Sequence, residues 1–141
     1  MIRSRDQVIW DFVQEWWAKA EGDLRAPEHL LTLPQQDCFA AAFHAQQAAE
    51  KFLKAFLVRH QAPFSKTHDI QNLLDLAAQF AADLKLELAS ATMLTPFGVE
   101  FRYPGDQVAD LATARGAVRE AQQVREVIRQ RLQGYLGLGR P

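Results

Sequence analysis

The stretch Phe39–His60, FAAAFHAQQAAEKFLKAFLVRH, decides the fold. It contains neither Pro nor Gly and is rich in Ala, Leu, Gln, Glu and Lys, residues that lose little side-chain freedom in a helix. Turned at about 100° per residue, it places Ala42, Ala45, Ala49, Phe52, Leu53, Phe56 and Leu57 on one broad face. His44, Gln47, Lys51 and Lys54 gather within a narrow arc on the opposite side. One face is therefore core and the other a compact polar strip. Gln46 falls inside the apolar arc. A buried amide destabilises a fold unless it is hydrogen-bonded, so Gln46 needs interior partners.

Upstream, Ile9, Val13, Trp16, Trp17, Ala20, Leu24 and Leu31 recur at spacings of three and four and predict a first helix from about Arg5 to Leu31. The three tryptophans, Trp10 included, are read as core or interface residues, because they follow this stripe. Phe12 and Leu30 flank it, where they widen the core or meet a second subunit. Pro27 has no backbone N–H to donate and is expected to kink or divide the helix near residues 23–26. A short connector, TLPQQD, leads to Asp37, a candidate N-cap for the second helix.

Downstream, residues 61–66 read as a loop. Thr67 or Asp69 is expected to cap a third helix whose inward face is Ile70, Leu73, Leu74, Ala77 and Ala81. A shorter fourth helix is expected from Leu84 or Leu86 to about Leu94, ended or distorted by Thr95 and Pro96. FGVEFRYPGD, residues 97–106, is the least helical stretch. Asp106 is expected to cap a last helix from about Gln107 to Leu132, with Leu111, Ala114, Ala117, Val118, Ala121, Val124 and Ile128 as its stripe. The tail from Gly134 should fray. No stretch alternates with period two. The pattern predicts an all-α fold: an antiparallel up-and-down bundle of four to five helices, forming one domain over residues 1–141 with its core at about 8–133.

The 141 residues carry a formal net charge of −1, which argues against generic nucleic-acid binding through a basic surface. A single cysteine, Cys38, rules out an internal disulfide framework and a Cys-based zinc site. No segment approaches the roughly 18 uninterrupted apolar residues of a membrane span, and the N-terminus has no signal-peptide core. The expected setting is the cytoplasm, with no membrane association.

Four histidines, His29, His44, His60 and His68, form neither a Glu-x-x-His nor a His-Glu-x-x-His pattern, so no metal is expected. Phosphate-binding glycine loops are absent, and no cofactor is expected. A nucleotide would have to bind through side chains. The strip His44, Gln47, Lys51 and Lys54 suits this, with Arg102 supplying bidentate phosphate recognition from a constrained loop. The alternative is an ordinary solvated face in which Glu50 pairs with Lys54 one turn away. His68 and Asp69 either line a site at a helix start or simply cap it. In Arg102-Tyr103-Pro104, an aromatic ring and a guanidinium could hold a base and a phosphate. Equally, Tyr103 could fill the end of the bundle while Arg102 pairs with Asp23 or Glu50.

The run Phe43-His44-Ala45-Gln46-Gln47-Ala48-Ala49-Glu50-Lys51, with Lys54-Ala55, resembles the signature helix of HEPN-domain (higher eukaryotes and prokaryotes nucleotide-binding) proteins. Asp23-Leu24, Thr67-His68-Asp69, Leu73-Leu74 and Arg102-Tyr103-Pro104 extend the resemblance in the family's order. It implies a small helical bundle, commonly a homodimer. It also implies a minimal nucleotidyltransferase as operon partner, in toxin–antitoxin or related two-component systems. Many relatives are metal-independent ribonucleases that use an Arg followed four to six residues later by a His. That motif is missing: no His follows His68, and Arg25 and His29 have only three residues between them. The chain resembles instead the subgroup marked by Gln46-Gln47 and the Arg-Tyr-Pro loop. In some systems the partner adds nucleotides to a Tyr beside the catalytic His, and Tyr103 is the only loop candidate. The implied role is nucleotide binding or partnership with a nucleotidyltransferase, with Lys51, Lys54 and Arg102 on phosphates and His44, Gln47, His68 and Tyr103 shaping the pocket. The alternatives are a ribonuclease toxin acting on RNA, in which His44 or His68 replaces the missing histidine, and a non-catalytic dimeric scaffold.

Overall fold

Helix α2 (Cys38–Arg59) is the axis on which the other elements pack in the computed structural model, which describes residues 2–33, 36–98 and 109–141. Before it comes α1 (Arg5–Thr32). After it come α3 (Ile70–Ala77), the single turn α4 (Leu84–Glu87), a 3-10 stretch Ala89–Phe97 and the long α5 (Leu111–Gly137). The described residues are helical or irregular and include no strand, as the periodicity predicts. α1 and α5 each pack extensively on α2 and touch one another only sparsely.

Capping explains where the helices begin. Ser4 and Gln7 form a reciprocal box at α1: the Gln7 N–H donates to the Ser4 hydroxyl at 3.1 Å and the Ser4 N–H to the Gln7 carboxamide at 3.0 Å. Asp37 accepts from the Ala40 N–H at 3.0 Å, and Asp69 from the Gln71 N–H at 3.0 Å. α2 ends in a Schellman arrangement. The Ala62 N–H donates to the Leu57 carbonyl at 2.9 Å, the Gln61 N–H to the Val58 carbonyl at 3.0 Å, and Gln61 adopts φ 56°.

The core follows the apolar arc of α2. Phe52, Leu53, Phe56 and Leu57 are fully buried, packed with Val13 and Ala20 of α1, Leu73 and Leu74 of α3, and Val124, Ile128 and Leu132 of α5. Alanines at 41, 42, 45, 48, 49 and 55 are all buried and let the neighbouring helices approach α2 closely. Trp17 sets its edge on Phe52 with ring centroids 4.6 Å apart, and Trp16 meets Phe64 at 6.1 Å. Phe12 stays exposed.

Four expectations change. Pro27 does not divide α1, which runs unbroken through it. The proline ring is buried, and this apolar burial offsets the one missing helical hydrogen bond. The fourth helix is one α turn followed by a 3-10 stretch that carries Pro96 inside it. The last helix starts at Leu111 and is capped by Asp110, whose carboxylate accepts from the Thr113 N–H at 2.7 Å. Asp106, the expected cap, lies outside the described residues. Finally, α5 continues to Gly137, past the point where fraying is expected. Its last turns are tied down: Tyr135 packs on Trp10 at 5.1 Å, and Arg140 grips Asp11 through two hydrogen bonds of 2.9 and 3.1 Å.

Candidate functional site

The polar strip of α2 is covered rather than solvated. α1 lies along it, and the 67–69 segment closes over its C-terminal part, so the strip resolves into two clusters, each centred on one carboxylate.

In the first, Asp23 of α1 reaches across to α2. One carboxylate oxygen sits 3.0 Å from Nδ1 of His44, and the other binds the Lys51 ammonium. The cluster is half-open: side-chain exposure is 15% for Asp23, 24% for Lys51 and 35% for His44. His44 and Lys51 stand seven residues apart, about 10 Å along the helix, and one carboxylate holds both.

In the second, Glu50 of α2 holds Lys54 at 2.5 Å, Nδ1 of His68 at 3.0 Å and the Gln46 amide at 3.1 Å. Lys54 also points at the Thr67 carbonyl at 3.5 Å, and its ammonium lies 5.5 Å from the ring centres of both Trp16 and Phe64. Side-chain exposure is 4% for Glu50 and 8% for Lys54, against 63% for His68. Burial works against the charged form of Glu50. Hydrogen bonds from Lys54, His68 and Gln46 outweigh it, and the carboxyl titrates below its ordinary value.

Gln46 ties the second cluster to its surroundings. Its amide N–H groups donate to Glu50 and, at 3.1 Å, to the His68 carbonyl, and its oxygen accepts from the Gln47 amide at 2.6 Å. It is the interior hydrogen-bonding post that its place on the wheel requires. Gly98 lies directly against it: a Cβ there would stand 3.2 Å from the Gln46 amide carbon and nitrogen, a tight contact that the Gln46 side chain would have to yield to by a few tenths of an ångström. Among the described residues, no buried side-chain nitrogen or oxygen lacks a partner.

Five of the residues singled out in the sequence are thus placed. His44 and Lys51 share Asp23, Lys54 and His68 share Glu50, and Gln47 joins the second group through Gln46. Arg102 and Tyr103 lie outside the described residues. Asp69 caps α3, as the plainer reading has it, and is exposed. Glu50 does pair with Lys54 one turn on, but the pair is buried and does not form a solvated face.

Sequence reasoning missed two features. Asp23, named from the sequence only as a possible partner of Arg102 and as part of the family resemblance, is the hub that joins His44 and Lys51, a pairing that the sequence does not suggest. The second is a cavity of about 290 Å³ beside His44, lined by Asp37, Phe39, Ala40, Phe43 and His44. The Phe43 ring packs edge-on to the His44 imidazole with centroids 5.4 Å apart. Part of the signal was available, because the same helical wheel puts Phe43 beside the polar strip of α2, while Phe39 shares the angle of Leu57 at the edge of the core face.

Chemically, both histidines present the same device. An ionised carboxylate fixes Nδ1 as the N–H donor and orients the ring, leaving Nε2 with no partner among the described residues. No group of three or more His, Cys, Asp or Glu side chains among the described residues could hold a metal ion. No helix among them is long and apolar enough to cross a membrane.

The all-helical bundle agrees with the comparison to known families. The family model of the HEPN domain matches residues 13–131, most of the chain, and the chain belongs to the HEPN-domain family. No curated protein and no solved structure matches it.

Proposed function

We propose that this HEPN-domain chain is a nucleotide-binding or accessory partner of a minimal nucleotidyltransferase, in a two-component system of toxin–antitoxin type, acting in the cytoplasm as a homodimer. The observation that carries the nucleotide part is the cavity beside His44. At about 290 Å³ it lies at the lower edge of ligand pockets, roughly 300–1,000 Å³, a size suited to a base and sugar. Aromatic walls and an oriented imidazole are the chemistry that stacks and hydrogen-bonds a base. Lys51, about 10 Å further along α2, supplies a cation to the phosphate end with the donors that Asp23 leaves free. Asp37 at the other end of the cavity repels phosphate, so the ligand runs from α2's first turn toward Lys51.

Lys54 takes a different part in this reading. Its charge is consumed by Glu50 beneath two aromatic rings, and it supports the site without touching ligand. Arg102 and Tyr103 follow in sequence from Gly98, whose backbone abuts Gln46, and they are assigned to the phosphate and the base.

Calorimetric titration with ATP and GTP, with and without the nucleotidyltransferase, tests the reading. Binding is expected to weaken about tenfold in His44→Ala, as for the loss of an oriented hydrogen bond in a partly desolvated site. No heat at millimolar nucleotide in either condition would end it.

A second reading, a metal-independent ribonuclease, is favoured by one observation: both imidazoles are held by carboxylates in the manner of a general base. It requires RNA cleavage by purified protein free of its partner that is lost in His44→Ala or His68→Ala. Cleavage absent from the wild type, or equal in both variants, removes it.

A further inference from the structure

The sparse contact between α1 and α5 leaves a groove between their facing ends, away from the two carboxylate clusters. Two adjoining cavities occupy it. One of about 430 Å³ is lined by Pro27, Leu31, Val118, Arg115 and Arg119, with Glu28 at its rim, and the next, of about 380 Å³, continues past Leu24 to Glu21 and Arg125. The groove follows residues 21–32 of α1, about 17 Å at 1.5 Å per residue, which is three turns of a helix.

The floor of the first cavity is apolar, the second is lined mainly by charged and polar side chains, and among the described residues the walls carry unmatched positive charge. Arg125 pairs with Glu21 at 2.7 Å and Glu126 pairs with Arg129 at 2.7 Å, so these charges are satisfied within the chain. Arg25, Arg115 and Arg119 are exposed and have no ion-pair partner among the described residues, and Glu28 is the one unmatched acid described along the groove. Arg115 and Arg119 stand one turn apart on the same side of α5, where like charges repel each other. Such a pair on the edge of an apolar trough gains most from an occupant that brings carboxylates.

We infer that this groove docks an acidic amphipathic helix of another protein, with apolar side chains at i, i+3 or i+4 and i+7 seated over Pro27, Leu31 and Val118, and carboxylates bridging to Arg115 and Arg119. Helix-in-groove recognition uses this combination of an apolar trough and charged rims. A nucleic-acid strand fits less well. Among the described residues the groove offers no aromatic ring to stack a base, which a nucleic-acid strand needs beside its phosphate contacts. A second copy of this chain fits this groove less well, because the apolar stripes of its α1, α2 and α5 are packed in its own core; the homodimer proposed above would use another surface.

The experiment uses the whole protein and a fluorescein-labelled, helix-stabilised peptide of Glu and Leu with that spacing, followed by fluorescence anisotropy. Saturable binding is expected, weakened by salt and reduced about tenfold or more by the double change Arg115→Glu with Arg119→Glu. Both side chains are exposed and without an ion-pair partner among the described residues, so the thermal melt of the variant should match the wild type and a loss of binding is not a loss of folding. A peptide with Lys in place of Glu should bind the variant and not the wild type. Three results overturn the inference: peptide binding indifferent to the charge reversal, a single-stranded RNA oligonucleotide that displaces the peptide and binds more tightly, or a sedimentation shift showing that the reversal splits a dimer.

Discussion

The two carboxylate clusters on α2 are built from the same three groups, a carboxylate, a lysine and a histidine, and they differ in which group meets water. Around Asp23 all three are partly exposed, and the histidine opens onto a cavity. Around Glu50 the carboxylate and lysine are sealed beneath Trp16 and Phe64, and only the histidine is outside. Burial decides what a salt bridge does. A sealed pair costs desolvation that its own attraction barely recovers, and it becomes strongly destabilising once either partner is removed. A half-open pair contributes little to stability and leaves its groups free to exchange partners with a ligand. The Glu50 cluster therefore holds the 67–69 segment and Gln46 in register, and the Asp23 cluster is the one suited to binding.

The sharpest way to break this contrast is Glu50→Ala. It strands the Lys54 ammonium in a site that water does not reach, with an expected cost of about 3–5 kcal/mol, measured by urea denaturation. Lys54→Met added to Glu50→Ala removes the stranded charge and fills its place beneath the two rings with an apolar chain. The double variant should recover a large part of the loss, a coupling of about 1.5 kcal/mol or more. Additive losses would mean that the pair is not sealed.

Acid should reveal the same cluster less severely. The Glu50 carboxyl titrates below its ordinary value of 4.5 in the folded chain. The stability it contributes is complete above that value and is lost as the pH falls through the lowered one. Unfolding midpoints measured from pH 7 to pH 3 should fall more steeply for the wild type than for Glu50→Gln, which has nothing to titrate at this position. Surface carboxylates such as Asp11, held down to about 2 by hydrogen bonds from Arg140 and Arg3, titrate in both proteins and cancel in the difference.

Much of this was legible in the sequence, for identifiable reasons. α2, its buried face, the Asp37 and Asp69 caps and the need for partners at Gln46 all follow from angle and spacing along a single helix. The neighbours of the strip do not. A helical wheel says that His44 and Lys51 share a side, but not that a carboxylate 21 residues upstream of His44 will lie across it. Lys54 stands with Lys51 and Arg102 as a phosphate ligand in the sequence because its charge is visible there, whereas the two rings beside its ammonium, from α1 and the α2–α3 connection, are brought in by the tertiary fold. The start of α5 was misjudged because Asp106 and Asp110 stand four residues apart and either can cap a helix. Of the two outcomes expected at Pro27, a kink or a division, the division does not occur: the missing N–H is a local fact, and the burial of the ring is a tertiary one.

The smallest effect separates the clusters most directly. Asp23→Asn keeps an acceptor for the His44 N–H and removes the charge that occupies Lys51. With the groups partly exposed, the expected loss of stability is no more than about 1 kcal/mol. For a phosphate placed roughly 6 Å from Asp23, removing one negative charge in a water-like dielectric is worth about 0.7 kcal/mol, or about threefold in affinity. Calorimetry should therefore show nucleoside triphosphate bound somewhat more tightly, the unphosphorylated nucleoside unchanged, and Lys51→Ala weakening the triphosphate alone. An Asp23→Asn variant as unstable as Glu50→Ala would make both clusters struts of the bundle, and the cavity beside His44 would then lose the cation that the proposed nucleotide site requires.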